Sequence, residues 1–162
     1  MNIPQRIRDY LDSQNVPYEA LHHSQAYTAQ EVAHSLHVSG KKCVKVVVAR
    51  GDSKPVLVVL PASHRLNFQE LKSALKVNQV EMLVESELVG LFPDCDLGAI
   101  PPFGNLYGIG VWVDRAVANA ENIVFCAGTH EDCIRMRYSD FAKLTLPNLG
   151  HFSEPPGTAL AA

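Results

Sequence analysis

Three segments carry residue types that could do chemistry. The first is Lys45, which interrupts Cys43-Val-Lys-Val-Val-Val-Ala49, an otherwise apolar run. Strand alternation puts Cys43, Lys45, Val47 and Ala49 on one face. An ammonium among such neighbours is costly to desolvate unless it is paired or opens on a cleft. Lys45 is therefore either a cation placed for an anionic ligand or a lysine at a strand start that snorkels to water.

The second segment is Gly98-Ala-Ile-Pro-Pro-Phe-Gly104. Gly98 permits a positive φ or a close backbone approach. Pro101 and Pro102 stiffen the loop and remove two amide donors. Phe103 offers an aromatic face and Gly104 a turn. A rigid loop with free amides at its glycine end suits a small-ligand pocket, and it equally suits a rigid crossover. The third segment is Ala127-Gly128-Thr129-His130-Glu131-Asp132. Thr129 and His130 supply a hydroxyl and an imidazole that titrates near neutrality. The bland alternative is an exposed hairpin loop.

Other groups point less far. His34 and His37 are spaced i, i+3 and His22-His23 are adjacent, but a zinc site needs three or four converging ligands. No metal is expected. Ser63-His64 places a hydroxyl beside an imidazole, yet adjacent side chains on a strand diverge, and no triad is visible. Lys41, Lys42, Lys45, Arg50 and Lys54 concentrate positive charge in one stretch. That stretch is either a solvated hairpin or a phosphate-attracting patch.

The elements that must position these groups can be read from periodicity. Pro4–Gln14 reads as a helix with Ile3, Ile7, Tyr10 and Leu11 on one face, ended by Asn15-Val16-Pro17. Tyr18–His22 reads as a short strand. Thr28 and Glu31 have capping-box spacing at the start of a helix running to about Leu36. Cys43–Arg50 and Val56–Leu60 read as a hairpin with a loop of about five residues, Gly51–Pro55. Asn67 caps a helix whose apolar stripe is Leu71 and Leu75. Gln79–Leu83, Tyr107–Val113, Asn122–Ala127 and Cys133–Arg137 read as strands, and Ser86–Leu91 as a short helix. Ser139 is placed to cap a last helix through Leu144. From Pro147 a tail is expected, loose at its end. Strands joined by short loops and interspersed with helices favour an α+β (mixed α/β) fold, a curled sheet with helices outside. No G-x-G-x-x-G, Walker A, H-E-x-x-H or G-x-S-x-G motif is present.

The chain has 162 residues, within the ~100–200 usual for one domain. Its 47% hydrophobic and 19% charged residues exclude a disordered or collagen-like chain. The runs Val44–Ala49 and Val56–Leu60 fall far short of the ~18–20 apolar residues of a membrane span. Met1–Tyr10 carries Arg6, Arg8 and Asp9 and has no apolar signal core, so a cytoplasmic location is expected. A formal charge of −3 argues against a protein that coats nucleic acid through its phosphates, but not against one that grips an RNA end. Cys43, Cys95, Cys126 and Cys133 form no C-x-x-C and read as reduced core residues.

Together these segments resemble the YbaK/EbsC-type aminoacyl-tRNA deacylase family, which is related to the editing insertion domain of bacterial prolyl-tRNA synthetases. The matching run is Asn15-Val16-Pro17-Tyr18 with His23, then Thr28-Ala29 and Glu31-Val32-Ala33. It continues through Lys45, Gly98–Gly104, Ala127-Gly128 to Ile134, and Asp140-Phe141 with Leu144. The resemblance implies a twisted, barrel-like, largely antiparallel sheet with surrounding helices, as an editing domain over 1–146 and a tail over 147–162. It implies a hydrolase that cleaves the ester of a mischarged aminoacyl-tRNA, a small residue such as alanine or cysteine on proline tRNA. The water attack would be assisted by the substrate's own ribose hydroxyl, with no cofactor. The implied partners are the aminoacylated 3′ end and a synthetase on which the protein could dock, with no membrane. By the same resemblance Lys45 holds the terminal nucleotide, Gly98 presents amides to the reacting ester, and His130 contacts the substrate. Ala99, Ile100, Pro101, Pro102, Phe103, Gly104, Gly128, Thr129, His23 and Thr28 line the binding site. A non-catalytic module that binds tRNA ends or nucleotides is the reading from another class.

Overall fold

The computed structural model describes residues 3–22 and 43–157. The helix expected over Thr28–Leu36 and the residues His23, Thr28, His34, His37, Lys41 and Lys42 lie outside them. Helix α1 (Gln5–Ser13) follows Pro4 and buries Ile7 and Leu11. Asn15 at φ 55° carries the chain out of the helix, and the Val16 amide bonds back to the Leu11 carbonyl. Strand β1 (Glu19–His22) comes next.

Strands β2 (Val44–Gly51) and β3 (Lys54–Pro61) form an antiparallel hairpin, pairing Val44 with Pro61 through Gly51 with Lys54. The connection is two residues, not the expected five. Asp52 and Ser53 both take positive φ, 46° and 81°, the backbone a tight hairpin turn demands. The Asp52 carboxylate then accepts the amides of Asn78 and Gln79, which holds the turn against the next connection.

After β4 (Arg65–Leu66), helix α2 (Phe68–Leu75) starts as expected, with the Asn67 side chain accepting the Glu70 amide at 3.0 Å. Strand β5 (Val80–Met82) and helix α3 (Glu85–Leu91) follow, and the Glu87 side chain accepts the Val84 amide. Gly104–Leu106 forms a single 3₁₀ turn, and β6 runs Gly110–Asp114, beginning three residues after the Tyr107 expected. A short helix α4 (Arg115–Ala118), strands β7 (Asn122–Cys126) and β8 (Asp132–Arg137), and helix α5 (Tyr138–Thr145) complete this part. Ser139 lies inside α5 and Arg137 precedes it, with no side-chain cap.

Two further strands, β9 (Asn148–Gly150) and β10 (Ser153–Glu154), lie in the segment expected to be a tail. β9 pairs parallel to β6, β10 pairs antiparallel to β4, and Phe152 between them is fully buried. The buried Asp114 carboxylate ties this return in place. It accepts the Ala116 amide at 2.9 Å, capping α4, and the Phe152 amide at 2.9 Å.

The fold is α+β. The largest sheet runs β5-β2-β3-β6-β9, with its β3–β6 and β6–β9 pairs parallel; a second runs β1-β8-β7 and is antiparallel throughout, and β4 and β10 form a two-stranded antiparallel sheet. A parallel bridge between Cys43 and Val124 joins the start of β2 to β7, so the five-stranded and three-stranded sheets meet there without closing into a barrel. One face of the larger sheet (Val44, Val48, Leu57, Val59, Val111, Val113) packs on the main core with Ile7, Leu11, Ile123, Phe125 and Ile134. The opposite face (Ala49, Val58, Leu60) packs on Leu71 and Phe152.

Candidate active site

Lys45 is the second residue of β2, close to the bridge that joins the sheets. Its position on the strand follows from alternation. Val44 and Val48 turn to the main core, while Val47 and Ala49, on the same face as Lys45, pack toward Leu71 and Phe152. Lys45 sits beyond that second cluster. It is half-buried, makes no ion pair with any described residue, and burial lowers its pKa below the usual lysine value. A small cavity of about 50 Å³ opens beside it, lined by Val44, Lys45, Val46, Gly98, Ile100 and Cys126. This has room for a water or a small group, not for a nucleotide.

Gly98 is exposed, at φ 84°, a backbone conformation that L side chains rarely adopt. The loop that carries it is clasped to the third segment. The Asp96 amide donates to the Gly128 carbonyl at 2.8 Å, and the Gly128 amide donates to the Ala99 carbonyl at 2.8 Å. Gly128 itself takes φ 94°, and a Cβ there would lie 2.5 Å from Pro4 Cδ. The start of α1, the Gly98 loop and the β7–β8 loop thus meet at one glycine.

The remaining predicted residues separate by depth. Ile100 lines the cavity, and Ala99 is buried just behind it. Pro101, Pro102, Phe103 and Gly104 are buried beneath the loop. Phe103 is a hub of the core, its ring centroid 5.4 Å from Phe125, 5.6 Å from Phe141 and 6.1 Å from Tyr10. Gly104 leaves no room for a side chain, since a Cβ would meet the Ile109 carbonyl oxygen at 2.5 Å. Thr129 is buried and its hydroxyl is committed to the loop. It donates to Asp132 Oδ2 at 2.7 Å and accepts the amides of Glu131 and Asp132. His130 is half-buried on the same loop and is not among the residues lining the cavity. Neither Ser63 nor His64 lines the cavity, and His64 Nδ1 lies 2.9 Å from the buried Ser153 hydroxyl.

Three cavity residues, Val44, Val46 and Cys126, are not among the predicted site residues, and Cys126 reads from sequence only as a core residue. It is the last residue of β7, directly before the Ala127 loop, and strand position alone could have suggested it. Among the described residues no group of three or more His, Cys, Asp or Glu side chains is arranged to hold a metal ion. No helix among them is long and apolar enough to cross a membrane.

The α+β scaffold thus brings a half-buried lysine and a positive-φ glycine loop to one small cavity. The chain belongs to the aminoacyl-tRNA editing domain family, whose pattern matches residues 23–144. It is 30% identical over 103 residues to a proline–tRNA ligase of Bacillus mycoides (strain KBAB4) and, over the same length, to one of Bacillus cereus (strain AH187). Each match covers 64% of this chain and 18% of the ligase, so the chain corresponds to a small part of those enzymes. Among solved structures it resembles the hypothetical protein APE2540, with a TM-score of 0.83, 20% identity, and coverage of 93% of this chain and 100% of that one. It also resembles a candidate trans-editing enzyme for prolyl tRNA synthetase, with a TM-score of 0.80, 18% identity, and coverage of 93% and 96%.

Proposed function

We propose that this protein is a trans-editing hydrolase that cleaves the ester between a small mischarged amino acid and the 3′ end of a tRNA, proline tRNA being the first candidate. The observation that carries the reading is the convergence of Lys45 and Gly98 on one cavity within a chain of the editing family. In this reading the Lys45 ammonium holds a phosphate or ribose of the terminal nucleotide beside the cavity that Lys45 lines. Such positioning removes a large part of a barrier by fixing the ester near its attack geometry. The backbone at Gly98, exposed and unobstructed by a side chain of its own, can approach the ester and donate to the developing oxyanion or to the attacking water.

The cavity's size suits the chemistry of proofreading. In this reading the cavity of about 50 Å³ lined by Val46, Ile100 and Cys126 takes a small side chain or the water that attacks the ester, and a larger cognate side chain is the one turned away. A synthetase rejects a slightly smaller apolar residue by only ~1–3 kcal/mol, so a second site that admits the small residue adds the missing discrimination. Pro101, Pro102 and Phe103 act from behind, holding the loop rigid. Gly128 holds the loop from the side, and His130, on the same β7–β8 loop outside the cavity lining, is assigned a contact with the part of the substrate beyond the cavity. Water activation is assigned to the substrate's own ribose hydroxyl. A synthetase of the proline type is the proposed docking partner.

The test is deacylation of a panel of proline tRNAs charged with alanine, cysteine, serine, threonine or proline, by the purified protein and by Lys45→Ala and Gly98→Val. The expected result is hydrolysis of a small-residue ester, a loss of about 100-fold in Lys45→Ala, and a loss of about 100–1,000-fold in Gly98→Val. Binding of tRNA ends with no hydrolysis above background establishes the non-catalytic module instead.

A further inference from the structure

The β7–β8 ladder places two of the four cysteines face to face. Cys126 pairs with Cys133 across the antiparallel strands. The next step of the ladder, Ala127 opposite Asp132, carries the Ala127 amide to the Asp132 carbonyl at 2.9 Å. Hydrogen-bonded and non-hydrogen-bonded pairs alternate along an antiparallel ladder, so Cys126 and Cys133 occupy a non-hydrogen-bonded pair. In such a pair the Cα atoms lie about 4.5 Å apart and the side chains stand close on one face, within the ~4.4–6.8 Å span a disulfide bridges. Both side chains lie in one small apolar cluster with Cys43, Ala62, Val124 and Leu21.

We propose that Cys126 and Cys133 form a reversible disulfide at the wall of the cleft, a modification site independent of the editing chemistry. Cys126 has the access: it is partly exposed and lines the cavity beside Lys45 and Gly98, whereas Cys133 is fully buried behind it. The hydrogen bond between the two side chains lowers the Cys126 pKa and raises that of Cys133. Burial pushes the other two thiols up, Cys43 to about 12 and Cys95 to about 11, which leaves them inert.

With hydrogen peroxide as oxidant, the Cys126 thiolate attacks one peroxide oxygen. The O–O bond breaks, giving a sulfenic acid on Cys126 and a hydroxide that becomes water. The Cys133 sulfur then attacks the Cys126 sulfur, the S–O bond breaks, and the leaving hydroxide takes the Cys133 proton as a second water. Two thiols are oxidised to one disulfide and one peroxide is reduced to two waters. A dithiol reductant reverses the bond by exchange. The link ties together both ends of the loop that carries Gly128 and His130.

Tryptic mapping tests this on the full chain. Ala116–Arg135 contains both cysteines and no internal Lys or Arg, whereas Cys43 and Cys95 fall on other peptides. Reduced protein is exposed to hydrogen peroxide, blocked with iodoacetamide and digested. The expected peptide is two hydrogens lighter and unalkylated. Dithiothreitol restores two alkylatable thiols, and Cys133→Ala abolishes the lighter species. Two alkylated cysteines after peroxide, a sulfinic acid on Cys126 beside an alkylated Cys133, or a cross-link to Cys43 overturns the proposal. The readout is a mass, so it stands or falls separately from any deacylation assay.

Discussion

The Gly128 amide donates to the Ala99 carbonyl at 2.8 Å, and this bond connects two loops that the sequence sets far apart. With the reciprocal bond from the Asp96 amide to the Gly128 carbonyl, it fixes the Gly98 loop against the β7–β8 connection. Gly128 can do this because nothing stands between its Cα and Pro4.

Gly128→Ala therefore carries two penalties. The residue sits at φ 94°, and its new Cβ would lie 2.5 Å from Pro4 Cδ. The conformational cost alone is about 1–3 kcal/mol. Urea unfolding is expected to show at least that loss. Deacylation is expected to fall further than the stability loss predicts, because the Gly98 loop loses its clasp. Wild-type stability in Gly128→Ala would contradict the packing described.

Lys45 has a pH signature. Burial disfavours its ammonium, so its folded pKa lies below 10.5, the ordinary value. Between the folded and unfolded pKa the unfolded chain binds more protons, and stability rises with pH. Wild type is thus expected to gain stability relative to Lys45→Met as pH climbs through that window. Below it, the wild type carries the full desolvation cost. Deacylation that depends on the ammonium is expected to decline, relative to the uncatalysed background, at a pH lower than an exposed lysine would give. Paired denaturation curves and rate profiles check both.

Thr129→Val removes a hydroxyl that serves Asp132 Oδ2 and the amides of Glu131 and Asp132. A net loss of about 1–3 kcal/mol is expected from the groups left unsatisfied. Thr129→Ser keeps the hydroxyl and is expected to restore most of it. Equal stability of the two variants would remove the hydroxyl's role in shaping the loop.

Phe152→Ala tests whether the chain after α5 belongs to the fold. The ring is fully buried between β9 and β10 and packs with Leu71 and Leu60. Truncating a buried phenylalanine costs about 3–5 kcal/mol. Asp114→Ala is expected to cost about 2–4 kcal/mol, from the lost cap and the stranded Phe152 amide. A loose tail predicts almost no change in the first variant.

Much of this was legible locally. The α1 face, the Asn67 cap, the β2–β3 pairing and the special backbone at Gly98 and Gly128 follow from periodicity and from the few residues that tolerate left-handed φ. Other features had no local signal. The hairpin turn is shorter than its Gly, Asp and Pro content suggests, because Asp52 and Ser53 accept positive φ once the strands pair. The strands after α5 are short, and they form by pairing with β6 and β4, with the Asp114 carboxylate and the buried Phe152 holding the return between them. Phe103 reads as a pocket ring beside two prolines, yet three aromatic neighbours draw it into the core.

The sequence by itself determined the set of groups available for chemistry: one lysine in an apolar strand, two glycines at strained turns, and no nucleophile triad or G-x-G-x-x-G. Residue type and spacing suffice for that, because propensity and alternation act over a few residues. Which groups share a cavity was decided only by tertiary structure. The Cys43–Val124 bridge brings the start of β2 to the end of β7, and the bonds at Gly128 bring the Gly98 loop to the same place. Long-range pairing of this kind leaves no periodic trace in the chain. It sets Cys126 beside Lys45 and leaves His130 off the cavity wall.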